Sequence, residues 1–180
     1  MEESRRASAL AHAAMDQTTD HTVRAHANVP DLLRSVLTFY DSRLRSAGIH
    51  VSTRYCWDGD LSVYARPLRQ AMANLLLNAL DAMPEGGRVI ARVARAQEWA
   101  APGRHGLRVT IADSGCGINP DHMSRLSENF FTTKGRAGNG LGLSFVRDAV
   151  QEHGGALRIR SSTRAGRSGS VFSFFLPSMT

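Results

Sequence analysis

Apolar residues recur at helical spacing over residues 31–47, where Leu33, Val36, Leu37, Tyr40 and Leu44 fall on one face. Pro30 near the start and Gly48 just past the end punctuate this predicted helix. The period then shortens to two. Ile49, Val51, Thr53 and Tyr55 share one side of a predicted strand over 49–55, and a turn at 57–60 leads to a short strand near 61–64. A second helix is expected over 67–83, with Leu68, Met72, Leu75, Ala79 and Met83 as its apolar stripe. Strands follow at about 88–96 and 107–112. A short helix is expected to begin near 119–120, a third long helix over 141–153, and closing strands over 157–161 and 171–176.

The strands alternate instead of running continuously apolar, so one sheet face is covered and the other is largely wet. That pattern excludes a doubly wound sheet, whose strands are buried on both faces. The expected fold class is α+β: a two-layer α/β sandwich with a mixed, mostly antiparallel sheet and about three helices on one face. Residues 1–28 are polar and alanine-rich with little apolar periodicity. They read as a linker or the remnant of a preceding helical segment, with one domain over 29–180.

Composition narrows the class only slightly. The 180 residues are 42% hydrophobic and 21% charged, ordinary for one soluble domain. No apolar run approaches the length of a membrane span. The two cysteines, Cys56 and Cys116, are in no metal-type spacing and read as free thiols of a reducing compartment. A net charge of +6 raises nucleic acid as a partner. The arginines are scattered, however, and several alternate with apolar residues along strands, as on a solvated sheet face. Direct nucleic-acid binding is therefore not expected; an anionic ligand or acidic partner suits the charge better.

Three features carry chemistry. Gln70, Asn74 and Asn78 form one stripe on the second helix, extended by Asp81. The stripe is either an exposed polar face or a ligand surface, since an asparagine oxygen is a suitable neutral ligand for Mg²⁺. Asp113 ends an apolar strand and enters Ser114-Gly115-Cys116-Gly117-Ile118. This is either an ordinary turn or a semi-buried carboxylate that accepts a hydrogen bond from an exocyclic amine such as adenine N6, with glycines that let a base lie against backbone. Gly138, Gly140 and Gly142 precede a helix whose N-terminal amides favour phosphate, and Lys134 and Arg136 add positive charge nearby. Neither a Rossmann fingerprint nor a P-loop is present. His153, before Gly154-Gly155, reads as a structural group at a helix C-terminus.

In order and spacing, these segments resemble the ATP-binding catalytic domain of sensor histidine kinases, within the wider group that includes gyrase, heat-shock chaperones and MutL. Gln70 to Ala82 is similar to the asparagine box, Asp113-Ser-Gly-Cys-Gly117 to the first glycine box, Phe130-Phe-Thr-Thr-Lys134 to the phenylalanine box, and Gly138-Asn-Gly-Leu-Gly-Leu143 to the second glycine box. The resemblance covers about residues 29–177. It implies a Bergerat-type ATP fold with a mobile lid between the last two boxes. It implies ATP and Mg²⁺ as cofactors, with Asn78 as the metal ligand and Asn74 near the phosphates. Asp113 would bind adenine N6, with Gly115, Gly117 and Ile118 beside the base and Ser170 sharing a water with Asp113. Phe131, Thr132, Thr133, Lys134, Arg136, Gly138, Gly140, Leu141, Gly142 and Leu143 would line the lid and triphosphate.

Two departures stand out. Asp81 lies where kinases of this group often carry a basic residue, and Glu128-Asn129 precede Phe130 where many relatives have proline. Neither His12 nor His21 sits in a phosphoacceptor context. The expectation is a kinase half that acts on a histidine borne by a separate dimerisation and phosphotransfer hairpin. A response regulator would be downstream, and the full-length kinase would be homodimeric. The location would be cytoplasmic, including the cytoplasmic part of a membrane-anchored kinase. The alternatives are an anti-sigma-type serine kinase and a non-catalytic ATP-binding module of the same fold. A self-contained ATPase is disfavoured, because Asn74 occupies the position of the water-activating glutamate and amides do not act as general bases.

Overall fold

The computed structural model describes residues 23–99, 101, 103–123 and 142–178. The elements run β1 (Ala25–Ala27), α1 (Val29–Ser46), β2 (Ile49–Cys56), β3 (Leu61–Val63), α2 (Ala65–Ala82), β4 (Gly87–Gln97), β5 (His105–Asp113), α3 (Pro120–Met123), α4 (Gly142–Glu152), β6 (Ala156–Ser162) and β7 (Gly169–Pro177). Five strands form one sheet in the order β2-β4-β5-β7-β6. The β2–β4 pair is parallel, and the other three pairs are antiparallel. Helices α1, α2 and α4 cover one face, giving the two-layer sandwich expected from strand alternation.

Packing follows that alternation. Val89, Ala91 and Val93 of β4, Leu107, Val109 and Ile111 of β5, and Phe172, Phe174 and Leu176 of β7 point to the helices and are buried. They share a core with Leu33, Val36 and Leu44 of α1, Leu68, Met72, Leu75 and Leu76 of α2, and Val146 and Val150 of α4. Arg88, Ile90 and Arg92 alternate with the buried positions of β4 and face away.

Local chemistry sets the element ends. Asn28 caps α1, its side-chain oxygen accepting from the Asp31 amide at 3.2 Å, so the helix starts before the apolar period becomes visible. The expected strand at 49–55 is present, but only Ile49 is buried; Val51 and Thr53 are exposed. β2 is an edge strand with a single neighbour, so its alternation does not make a second buried face. Tyr55 is half-buried, with the Arg34 guanidinium 5.2 Å from its ring centre. β1 lies in the stretch read as linker. Its three residues pair antiparallel with β3, tying residues 25–27 to the domain.

The C-terminal end of α4 is fixed by His153, which is 5% exposed. Its Nε2 accepts from the Tyr64 amide at 2.8 Å, so Nδ1 carries the proton and donates to the Ala149 carbonyl at 2.6 Å. The ring thus joins α4 to the start of α2, the structural role expected from its place at a helix end. Among the described residues, no helix is long and apolar enough to cross a membrane.

Candidate functional site

Asp113 is the last residue of β5, opposite Ser170 of β7. It is half-buried. Its Oδ1 accepts from the Gly115 amide at 2.9 Å and from the Ser170 amide at 3.2 Å. Burial raises the carboxyl pKa above its ordinary 3.8, and the two backbone bonds hold it down. Both described bonds use one oxygen, so Oδ2 is the atom able to meet a ligand donor.

The turn after Asp113 is locked at both ends. The Cys116 amide donates to the Ala82 carbonyl at the end of α2, at 3.1 Å. A Cβ on Gly115 would come within 2.6 Å of that same oxygen, so only glycine permits this approach. Gly117 has φ +76° and presses against the Ser162 carbonyl. The Ile118 amide then donates to Ser161 Oγ at 2.8 Å, while that hydroxyl donates to the Gly169 carbonyl at 2.8 Å. Ser161 Oγ is also 3.0 Å from Ser170 Oγ; with its own proton committed to Gly169, it accepts from Ser170. A serine network therefore joins the carboxylate turn to β6 and β7.

The amide stripe of α2 faces the start of α4. Asn74 donates from Nδ2 to the Gly142 carbonyl at 3.4 Å, and its Oδ1 accepts from Gln70 Nε2 at 3.3 Å. Asn78 is half-buried one turn further on, and Asp81 is exposed. Gly142 and Leu143 are partly buried, and Ser144 beside them is buried. Phe131, Thr132, Thr133, Lys134, Arg136, Gly138, Gly140 and Leu141 lie outside the described residues.

Helix α2 thus works as a ruler. It touches Gly142 at Asn74 and the carboxylate turn at Ala82, with Asn78 midway. Eight residues of helix span about 12 Å, comparable to the distance from a base edge to the terminal phosphate of a nucleoside triphosphate. Among the described residues, no group of three or more His, Cys, Asp or Glu side chains is placed to hold a metal ion. Asn78 offers a neutral side-chain oxygen of the kind that can serve as one ligand of a hard cation.

Sequence reasoning missed Ser161. Its role depends on the β6–β7 register that sets it opposite Ser170, and nothing in Leu157-Arg-Ile-Arg-Ser161 signals it. Ser170 was named for a water shared with Asp113. In the structure its amide contacts Asp113 directly, and its hydroxyl turns to Ser161.

Comparison with known proteins agrees with this architecture. Residues 64–180 match the histidine kinase-, DNA gyrase B- and HSP90-like ATPase family. The chain is 36% identical over 110 residues to the sensor histidine kinase ZraS of Salmonella typhimurium, covering 61% of this chain and 22% of ZraS. It is 41% identical over 120 residues to the histidine protein kinase DivJ of Caulobacter vibrioides, covering 63% of this chain and 19% of DivJ. The solved structure of the mycobacterial sensor histidine kinase MprB superposes with a TM-score of 0.71 at 28% identity, over 87% of this chain and 98% of that one. The chain spans about a fifth of the length of these curated relatives. With the family match running over more than half of its length, this chain belongs to the histidine kinase-, DNA gyrase B- and HSP90-like ATPase family.

Proposed function

We propose that this chain is the ATP-binding catalytic domain of a two-component sensor histidine kinase, and that it passes the γ-phosphoryl group of ATP to a histidine on a separate phosphotransfer hairpin. The observation that carries this reading is the set of groups ranged along α2: a carboxylate with one oxygen engaged and one available, an amide at mid-helix, and the N-terminus of α4 at Asn74. The kinase names of ZraS and DivJ favour histidine as acceptor.

In this reading Asp113 Oδ2 accepts from the exocyclic amine of adenine. That selects adenine over guanine, which presents an oxygen at the corresponding ring position. Gly115, Gly117 and Ile118 form the wall beside the base. Asn78 holds Mg²⁺, which neutralises phosphate charge when bound, and Asn74 orients the start of α4 toward the phosphates. Gly142 and Leu143, with Phe131, Thr132, Thr133, Lys134, Arg136, Gly138, Gly140 and Leu141, complete the phosphate side. Ser170 supports Asp113. Rate enhancement then comes from positioning and charge stabilisation, with the attacking nitrogen supplied by another domain. Hydrolysis is disfavoured because Asn74, hydrogen-bonded to Gln70 and Gly142, provides no general base. A response regulator downstream, a homodimeric full-length kinase, a cytoplasmic location and a boundary between residues 1–28 and 29–180 belong to the same proposal.

The test is a transfer assay with acceptor hairpins supplied in trans and detection of acid-labile phosphohistidine. Transfer that requires Mg²⁺ and is abolished in Asn78→Ala is expected. Transfer by the variant at the parental rate would remove Asn78 as metal ligand, and acid-stable phosphate on the acceptor would point to a serine kinase instead.

A further inference from the structure

The open face of the sheet carries charge of one sign. Arg54, Arg88, Arg92, Arg108, Arg158 and Arg160 all project from it, alternating with residues that face the core. The single carboxylate on the five strands, Asp113, sits at the end of β5 opposite Val89, a buried position of the covered face. Among the described residues, no ion pair involves any of the six, and two carboxylates beside the sheet are committed elsewhere, Asp58 to Arg95 and Glu98 to Arg104. Arg54 and Arg92 are direct register partners across β2 and β4. Like charges so placed destabilise a sheet. Burial, and after it the nearby charges of Arg158 and Arg92, hold the Arg108 guanidinium pKa below its ordinary value.

Between the arginines lies a small apolar row. The register aligns Ile90, Ala112 and Val171 side by side, with Arg160 closing the row on β6. Ile90 is 45% exposed and Val171 37% exposed. An apolar centre with charged groups around it is the anatomy of a protein–protein interface, where arginine is enriched.

We propose that this sheet face docks a protein partner whose surface presents carboxylates around a small apolar centre. Arginine forks match carboxylates two bonds at a time, and pairing them removes the repulsion that the free face carries. Two other anionic partners fit less well. Nucleic acid gains from aromatic rings free to stack on bases, but the nearby Trp99 ring already has Arg108 at 4.5 Å and Arg158 at 6.0 Å. A lipid surface rewards protruding apolar groups, whereas Ile90 and Val171 lie mid-sheet on a twisted surface.

The probe is a fluorescently labelled helical peptide with glutamates on both sides of a leucine stripe, titrated by anisotropy against the full chain. Reversing Arg92→Glu with Arg158→Glu is expected to weaken binding about tenfold, and Ile90→Ser with Val171→Ser several-fold, while nucleotide affinity stays at its parental value in both. Reversing Arg43→Glu with Arg45→Glu, exposed on α1, removes the same charge from elsewhere and is expected to have little effect. Equal loss from the α1 pair, or no loss from the serine pair, would reduce the interaction to unspecific attraction and overturn the proposal. So would tighter, equally Arg92-dependent binding of phosphatidylserine vesicles or of a single-stranded oligonucleotide.

Discussion

At its C-terminal end α4 is held from several directions. His153 bonds on both ring nitrogens, Arg24 donates to the Glu152 carbonyl at 2.9 Å, and Arg104 donates to the Gly154 carbonyl at 2.8 Å. The two guanidiniums meet the negative end of the helix dipole, where cations are stabilising. At its N-terminal end the contact from α2 is an amide one, Asn74 donating to the Gly142 carbonyl over a longer 3.4 Å. That is the end the proposed phosphates would meet. The two ends of one helix are therefore tied by different chemistry, short bonds from an imidazole and two guanidiniums at one and a long amide bond at the other, and the long bond is the one able to adjust to a ligand without disturbing the core contacts of Val146 and Val150.

The sharpest way to break the contrast is His153→Phe, which keeps a ring but strands the Tyr64 amide and the Ala149 carbonyl. Two buried groups left unpaired cost roughly 2–4 kcal/mol, measurable by denaturant unfolding. Nucleotide affinity of the folded variant should stay within a few-fold of the parent. A variant as stable as the parent would mean that the anchor is held without the imidazole.

The same ring predicts a pH signature. Burial, the main cause, lowers the His153 pKa below the ordinary 6.5, with Arg24 acting the same way and the Ala149 bond and Glu152 opposing. The unfolded chain thus takes up the proton first. The stability contributed by the neutral ring is complete above about 6.5 and is lost as pH falls through that value toward the lower folded one. The parent should lose stability over this window, and His153→Phe should lose less. Identical pH profiles would assign the effect to other groups.

Most elements on both sides of this comparison were legible as apolar periodicity, because the core is one-sided and each strand reports its buried face. What was not legible depends on partners distant in sequence. β1 is three residues, Ala-His-Ala, made a strand only by pairing with β3. β2 shows alternation that an edge position does not turn into burial. In the candidate site, Asp113, Gly115 and Asn74 were nameable from the sequence because the turn glycines and the four-residue amide spacing are local. The Ser161 network was not, since it exists only through the β6–β7 register. His153 was readable as a helix end, but its bond to Tyr64 spans 89 positions.

At the ligand end, Asp113→Ala should weaken ATP binding by roughly tenfold or more, the loss of a charged hydrogen bond of about 1.5–3 kcal/mol. Unfolding stability should change less than in His153→Phe, because removing a half-buried carboxylate also removes its desolvation cost. Calorimetric titration giving the parental affinity would discard the adenine assignment.

The smallest effect tests the long bond itself. A 3.4 Å bond is at the limit of a useful hydrogen bond, so Asn74→Ala should cost less than about 1 kcal/mol of global stability. Its consequence should be local. Amide hydrogen exchange in the first turn of α4 should already be faster than in the turn before His153, and Asn74→Ala should accelerate the first turn alone. ATP should slow that turn in the parent more than in the variant, since the asparagine would no longer hold the helix start against the nucleotide. Uniform exchange along α4, insensitive to both the substitution and ATP, would show that the two termini are equally firm and that the asymmetry has no dynamic consequence.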